Sequence, residues 1–172
     1  VHEAHRRGIP VFERTQAWGA LMRGYQNALC ISGTHGKTTT TSMCTHIMMA
    51  AEKDPTVMIG GTLPLLKACH RVGKGNTIIM ESCEYYNSFL ALNPTIAVVL
   101  NIEADHLDFF KDLEDIKRSF RRFAERVPAE TGTVIVNYDD ANTMDALRGI
   151  ERKVITFGLN PKADVYAQNI VH

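Results

Sequence analysis

No stretch of this sequence stays apolar for the ~20 residues that a membrane-spanning helix requires. Charge of neither sign is in excess. Lys plus Arg number 19, Asp plus Glu number 19, so no bulk field draws the chain to nucleic acid or to a membrane surface. One stretch without clear structure holds Lys67, Arg71 and Lys74. No aromatic residue lies among them to stack on bases, so they read as solvated. The four cysteines, Cys30, Cys44, Cys69 and Cys83, show no C-x-x-C spacing. They read as reduced thiols of a cytoplasmic protein, not as a zinc site or a disulfide framework. Repeats, low-complexity segments, an initiating methionine and a recognisable signal peptide are all missing. The chain begins at Val1 and reads as an excised piece of a longer protein, which leaves open a leader upstream.

What is present is the composition of an ordinary globular domain. The 172 residues are enough for one core, with 45% apolar and 22% charged residues. Apolar runs at 28–32, 56–59, 77–80, 95–100, 133–136 and 154–157 alternate with helical patterns. That alternation predicts a mostly parallel α/β sheet flanked by helices. Residues 164–170 are a further strand candidate. The run at 95–100 is apolar throughout and suits a strand covered on both faces.

Other elements follow from local patterns. A short helix is predicted over residues 1–7, with His2 and His5 solvated, and a short strand over Ile9–Phe12. Thr15 is expected to cap a helix whose stripe is Trp18, Leu21, Met22 and Tyr25. A helix running to about Ala51 should bury Met43, Ile47 and Ala50. Gly60-Gly61 should end the strand 56–59, leaving 61–76 as loop. Leu113, Ile116, Phe120, Phe123 and Val127 define an amphipathic helix, and a short helix should end near Gly149.

Ala28 to Thr41 organises the rest. It reads as a buried strand, a turn bounded by Gly33 and Gly36, and the first turn of a helix. The glycines let backbone N–H groups approach an anion, and the helix N-terminus adds its dipole. Lys37 supplies a mobile cation, and Thr38 a hydroxyl suited to a phosphate-bound Mg²⁺. The full G-x-x-x-x-G-K-[ST] pattern would need glycine where Ile31 stands. The bland alternative is a glycine-rich turn with an exposed lysine. Four threonines in a row, however, favour hydroxyl function over helix propensity.

In an open parallel sheet, ligands lie beyond the carboxyl ends of the strands. Strand 77–80 runs into Glu81 and Glu84, and strand 95–100 into Asn101, Glu103, Asp105, His106 and Asp108. Carboxylates beside a triphosphate imply divalent metal between them: Mg²⁺ accepts oxygen ligands, and Mn²⁺ accepts a histidine nitrogen as well. Alone, His106 would read as a packing or capping histidine.

Three stretches, 33–41, 81–90 and 101–108, together resemble the central ATP-binding domain of the Mur ligases, a P-loop NTPase-like α/β fold, and within that family the branch that adds alanine. The resemblance runs from about Arg7 to the end. It implies that residues 1–27 finish a UDP-binding domain and its linker, and that 28–172 are the central domain, C-terminally incomplete. It implies ATP contacts from Gly33, Thr34, His35, Gly36, Lys37, Thr38 and Thr39. Lys37 would hold the β- and γ-phosphates, Thr38 and Glu84 one Mg²⁺, and Glu84 with His106 a second. The implied reaction joins UDP-N-acetylmuramate to L-alanine through an acyl phosphate, in peptidoglycan precursor synthesis in the cytoplasm; the piece alone should be inactive. Many relatives read D-E-S-D-x-S where this chain has Cys83-Glu84-Tyr85-Tyr86-Asn87-Ser88. Phe120 falls where sibling ligases carry a carbamylated lysine. A muropeptide ligase sibling and a non-catalytic nucleotide-binding module are the competing readings. The latter would need Lys37 and Thr38 but neither Glu84 nor His106.

Overall fold

The computed structural model describes residues 1–170. Eight strands form one sheet: β1 (Asn27–Ser32), β2 (Thr56–Leu63), β3 (Ala68–Arg71), β4 (Thr77–Glu81), β5 (Ile96–Val99), β6 (Thr133–Asn137), β7 (Lys153–Gly158) and β8 (Val165–Tyr166). Their order is β3-β2-β4-β1-β5-β6-β7-β8. All neighbours are parallel except β2 and β3. The helices are α1 (His2–Arg6), α2 (Arg14–Met22), α3 (Lys37–Ala50), α4 (Leu113–Ala124) and α5 (Ala141–Ala146), and Tyr85–Ala91 forms a 3₁₀ segment. Among the described residues no helix is long and apolar enough to cross a membrane.

Strand alternation divides the core into two layers. Ala28, Cys30, Ile78, Met80, Ala97, Val99, Val134 and Val136 face one side, where α2, α4, α5 and the 3₁₀ segment cover them. Ile31, Val57, Ile59, Ile79 and Val98 face the other, under Cys44 and Met48 of α3. Phe120 is fully buried and meets Phe89 edge-on at 5.3 Å. The helix predicted from the 3- and 4-residue spacing is α4; Asp112 caps it by accepting the Asp115 N–H at 2.8 Å.

Five local expectations are corrected. Residues 9–12 form no strand: Ile9 and Phe12 are exposed, with no neighbouring strand to pair with them. Helix α2 starts two residues earlier than predicted, with Glu13 in place of Thr15 at its N-cap, donating its N–H to Gln16 Oε1 at 2.9 Å, and Leu21 of the stripe faces solvent. Gly60-Gly61 do not end β2; a register shift carries the strand through them to Leu63, and β3 returns antiparallel from within the supposed loop. Arg71, read as solvated, pairs with Asp54 and donates to Pro55 O at 2.8 Å. The face of α3 is also reversed. Met43 and Ile47 are 60% and 65% exposed and Ala50 is exposed, whereas Thr41 and Thr45 are fully buried. Their hydroxyls donate to Lys37 O and Thr41 O, both at 2.8 Å, so the buried oxygens are satisfied within the helix.

Candidate active site

β1 lies at the point where the chain changes direction across the sheet, with β4 on one side and β5 on the other. The carboxyl ends of all three open on one edge, and a cleft there is what this topology makes available to a ligand. The residues leaving β1 are fastened to those leaving β5. Thr34 N–H donates to Asn101 O at 3.0 Å and His35 N–H to Asn101 Oδ1 at 2.7 Å, while Asn101 Nδ2 donates back to His35 O at 3.1 Å. Glu103 N–H donates to Thr34 Oγ1 at 2.9 Å.

Gly33, at φ +146, has no room for a side chain: a Cβ would sit 2.9 Å from that of Leu100. Gly36, at φ +81, is the left-handed N-cap of α3 and makes no side-chain cap. Thr34 and His35 therefore have their amides taken up by Asn101. The amides left facing outward are those of the first turn of α3, from Lys37, Thr38 and Thr39, at the positive end of a 14-residue helix.

Lys37, Glu84 and His106, far apart in sequence, converge. Lys37 Nζ donates to Gly33 O at 2.6 Å, to Thr34 O at 3.0 Å and to Glu84 Oε1 at 3.3 Å. It lies 3.1 Å from Glu84 Oε2. Glu84 is only 2% exposed, and its Oε2, although beside the ammonium, has no hydrogen-bond partner. His106 Nε2 approaches Glu84 Oε1 at 3.8 Å and Asp105 Oδ2 at 3.9 Å. Ligand atoms of Glu84, Asp105 and His106 lie within 4.8 Å of one another. Two carboxylates, one of them with a buried oxygen that lacks a hydrogen-bond partner, and an imidazole form a donor set that fits a divalent cation.

Thr38 faces a different carboxylate. Its hydroxyl donates to Glu81 Oε1 at 2.9 Å, and Glu81 Oε2 accepts the Gly60 N–H at 2.7 Å. Glu81 thus links the second residue of α3 to the irregular part of β2. Thr39 is exposed on the same turn, and His35 reaches Glu103 at 3.6 Å on the surface.

The other acidic residues of the 101–108 loop separate by role. Asp105 joins the cluster, and Asp108 accepts the Tyr85 hydroxyl, which pushes that phenol well above its ordinary range. Sequence reasoning placed Glu81 and Asp105 near the site but gave neither a ligand role. For Glu81 the available signal was the Gly60-Gly61 pair, which admits a carboxylate against the neighbouring strand. For Asp105 there was none, because a loop with three acids does not reveal which one turns inward. Phe120 lies wholly in the core and offers no donor atom to the cluster.

Residues 31–172 match the Mur ligase middle domain. A UDP-N-acetylmuramate–L-alanine ligase of Caldanaerobacter subterraneus subsp. tengcongensis is 44% identical over 170 residues, which cover 99% of this chain and 37% of that protein. Among solved structures, UDP-N-acetylmuramate:L-alanyl-γ-D-glutamyl-meso-diaminopimelate ligase from Neisseria meningitides aligns with a TM-score of 0.81 at 26% identity, covering 91% of this chain and 53% of that one. A UDP-N-acetylmuramate-alanine ligase from Thermotoga maritima aligns with a TM-score of 0.77 at 24% identity, covering 94% and 36%, a likeness of fold. The chain spans a little over a third of the length of the curated relatives it matches, 37% for the first of them.

Proposed function

The chain belongs to the Mur ligase family through its middle domain, and from that premise we propose that it forms the ATP-binding centre of a ligase joining UDP-N-acetylmuramate to L-alanine. On this reading residues 28–172 belong to the central domain, residues 1–27 finish the preceding UDP-binding domain and its linker, and the step takes place in the cytoplasm.

The observation that carries the proposal is the placement of Glu84 between the Lys37 ammonium at 3.1 Å and the His106 imidazole at 3.8 Å. Nucleotide binding alone asks for a phosphate loop and its lysine. It does not ask for a buried carboxylate and a histidine beside that lysine. The first turn of α3 binds the phosphates with its free amides. Lys37, released from part of its contact with Glu84, moves to the β- and γ-phosphate oxygens. Glu84 and His106, with Asp105 beside them, would hold Mg²⁺ or Mn²⁺, and the Thr38 hydroxyl lies on the adjoining turn. When bound, such a cation supplies neutralisation of the charge spread over the transferring phosphoryl group.

The reaction follows from these roles. A carboxylate oxygen of the muramyl lactyl group attacks the γ-phosphorus and the bond to ADP breaks, giving an acyl phosphate. The amine of alanine then attacks the acyl carbon, phosphate leaves, and the amine gives up a proton. Lys37 stabilises the oxygens of the group in flight, where a fixed charge contributes most.

A second reading, with a muropeptide in place of alanine, is supported by the likeness to the Neisseria ligase. The 44% identity to an alanine-adding relative favours alanine. The test is an ATP-dependent assay of the complete polypeptide that carries this chain, with UDP-N-acetylmuramate and a panel of acceptors that includes L-alanine, other amino acids and the tripeptide. ADP release that depends on L-alanine supports the proposal. Release with the tripeptide alone would transfer it to the sibling, and no ligation with any acceptor would leave a nucleotide-binding module.

A further inference from the structure

Four residues beside the Glu84 cluster have no part in the reaction as set out above: Tyr85, Tyr86, Asp108 and Phe109. They link two segments that the sheet itself does not join. One is the exit of β4, residues 82–88. The other is the loop after β5, residues 101–110, which has no regular structure and carries His106.

His106 needs external support. Its backbone is left-handed, at φ +51, a region that residues with a Cβ enter uncommonly and at some cost. The hydrogen bonds of its own backbone are local. Its N–H donates to Asp105 Oδ1 at 2.7 Å, and its carbonyl accepts from Phe109 N–H and Phe110 N–H, both at 2.9 Å. Those bonds shape the turn but do not tie it to Glu84.

The imidazole is tied by an aromatic contact. Its ring stacks on Tyr85, centroids 4.3 Å apart and planes 23° from parallel. Tyr85 is itself held at both ends. Its hydroxyl donates to Asp108 Oδ2, two residues beyond His106, and its ring packs on Tyr86 at 4.4 Å. Tyr86 packs in turn on Phe109 at 4.9 Å. The segment bearing the tyrosines is also constrained. Tyr86 and Asn87 are both left-handed, at φ +53 and +56, and Asn87 Oδ1 accepts the hydroxyl of Ser119 on α4. The order of contacts is α4, Asn87, Tyr86 and Tyr85, then His106.

We propose that Tyr85 is a positioning residue: its ring against the imidazole and its hydroxyl on Asp108 hold His106 within ligating range of Glu84. A cation site made partly on a loop is thereby assembled by an aromatic clasp anchored on a helix. The proposal rests on the reading that Glu84 and His106 hold a divalent cation. It also gives the two tyrosines a task, where the comparison with D-E-S-D-x-S had shown only the loss of neighbouring acids.

The test uses the complete polypeptide without nucleotide and Mn²⁺ as the probe. Free Mn²⁺ is followed by electron paramagnetic resonance, and hydrogen–deuterium exchange is followed over residues 101–110. Wild type is compared with Tyr85→Ser, Tyr85→Phe and His106→Ala. Tyr85→Ser removes both contacts. It should weaken Mn²⁺ binding roughly tenfold or more, the usual consequence of losing a group that orients a metal ligand, and it should speed exchange in 101–110. Tyr85→Phe keeps the ring and loses the bond to Asp108. It should fall between wild type and Tyr85→Ser, and it carries the test if Tyr85→Ser does not fold. A residue that merely stabilised the fold would lower the melting temperature and leave Mn²⁺ affinity per folded molecule unchanged. If His106→Ala loses Mn²⁺ while both Tyr85 variants bind it like wild type, the clasp is overturned and the metal site stands. If His106→Ala binds Mn²⁺ like wild type, the metal reading is overturned and the clasp goes with it.

Discussion

Replacing Gly60 with alanine adds one methyl group, yet it should separate stability from activity. A Cβ built on Gly60 lies 2.7 Å from Glu81 Oε1 and 3.0 Å from both Cδ and Oε2. Those atoms end a flexible side chain, so the carboxylate retreats and the strand stays where it is. Retreat breaks the bond from the Thr38 hydroxyl at 2.9 Å and stretches the one from Gly60 N–H at 2.7 Å. A hydrogen bond to a charged group is worth about 1.5–3 kcal/mol when buried; at this half-buried edge, about 1 kcal/mol is the appropriate scale after solvent screening. Loss of backbone freedom in the unfolded chain returns ~0.4–1 kcal/mol. The net change in stability should therefore lie within about 1 kcal/mol, or roughly 2–4 °C for a chain of this size. On the proposed function, loss of the aim that Glu81 gives Thr38 should lower the activity of the complete polypeptide, or its apparent affinity for Mg²⁺, roughly 10- to 100-fold. Calorimetry and steady-state kinetics over a Mg²⁺ titration, on the complete polypeptide, measure both. Wild-type kinetics would refute the role given to Glu81. A fall of more than about 10 °C, far beyond the scale of one such bond, would show instead that Gly60 supports the strand.

Three further outcomes follow. Lys37→Ala should lower kcat by roughly 10²-fold or more, with a smaller effect on ATP binding, because the ammonium acts most strongly as charge moves off the γ-phosphate; near-normal turnover would contradict the phosphate-loop assignment. His106→Ala should abolish single-turnover acyl-phosphate formation while ATP binding and melting temperature hold, whereas a merely structural histidine would show the reverse. Burial pushes the Cys30 thiol from 9.0 up to about 12, the neighbouring Ser82 opposing it slightly. The folded value is the higher one, so stability from this group is complete below pH 9.0 and declines towards 12 as the unfolded chain ionises first. Denaturant midpoints taken across that window should fall less steeply in Cys30→Ala than in wild type, and parallel slopes would refute it.

The sequence made the centre of the fold legible because there the rules agree. β1, β4 and β5 are continuous apolar runs ending in polar residues, and all three open on one edge. The spacing of Leu113, Ile116, Phe120 and Phe123 specified α4 with its buried face. Elsewhere one rule overrode another. In α3 the loop geometry fixes the phase of the helix, since Lys37 and Thr38 must face Glu84 and Glu81. Thr41 and Thr45 then turn to the sheet, and the more hydrophobic Met43 and Ile47 turn away. In β2 the glycines that look like a strand end lie within the strand, and Gly60 is the place where Glu81 approaches. Around His106 the sequence held the residue types but no statement of which acid faces inward, nor that a tyrosine ring would lie between the two segments.

The order of strands also governs how a growing chain can acquire this structure. β1 lies between β4 and β5, so Asn27 waits for Thr77 and Leu29 for both Ile79 and Ile96. Until those residues exist, the only sheet pairing available to the first 76 is the antiparallel one between β2 and β3. The phosphate loop has its sequence early but its support late, because Asn101, which fixes Thr34 and His35, follows β5. Pairing across such separations is slow compared with local contacts. A polypeptide released from the ribosome before Asn101 would carry the complete G-T-H-G-K-T signature without the segment that fastens Thr34 and His35, and nucleotide affinity should therefore emerge in one step, as the segment after β5 docks against β1.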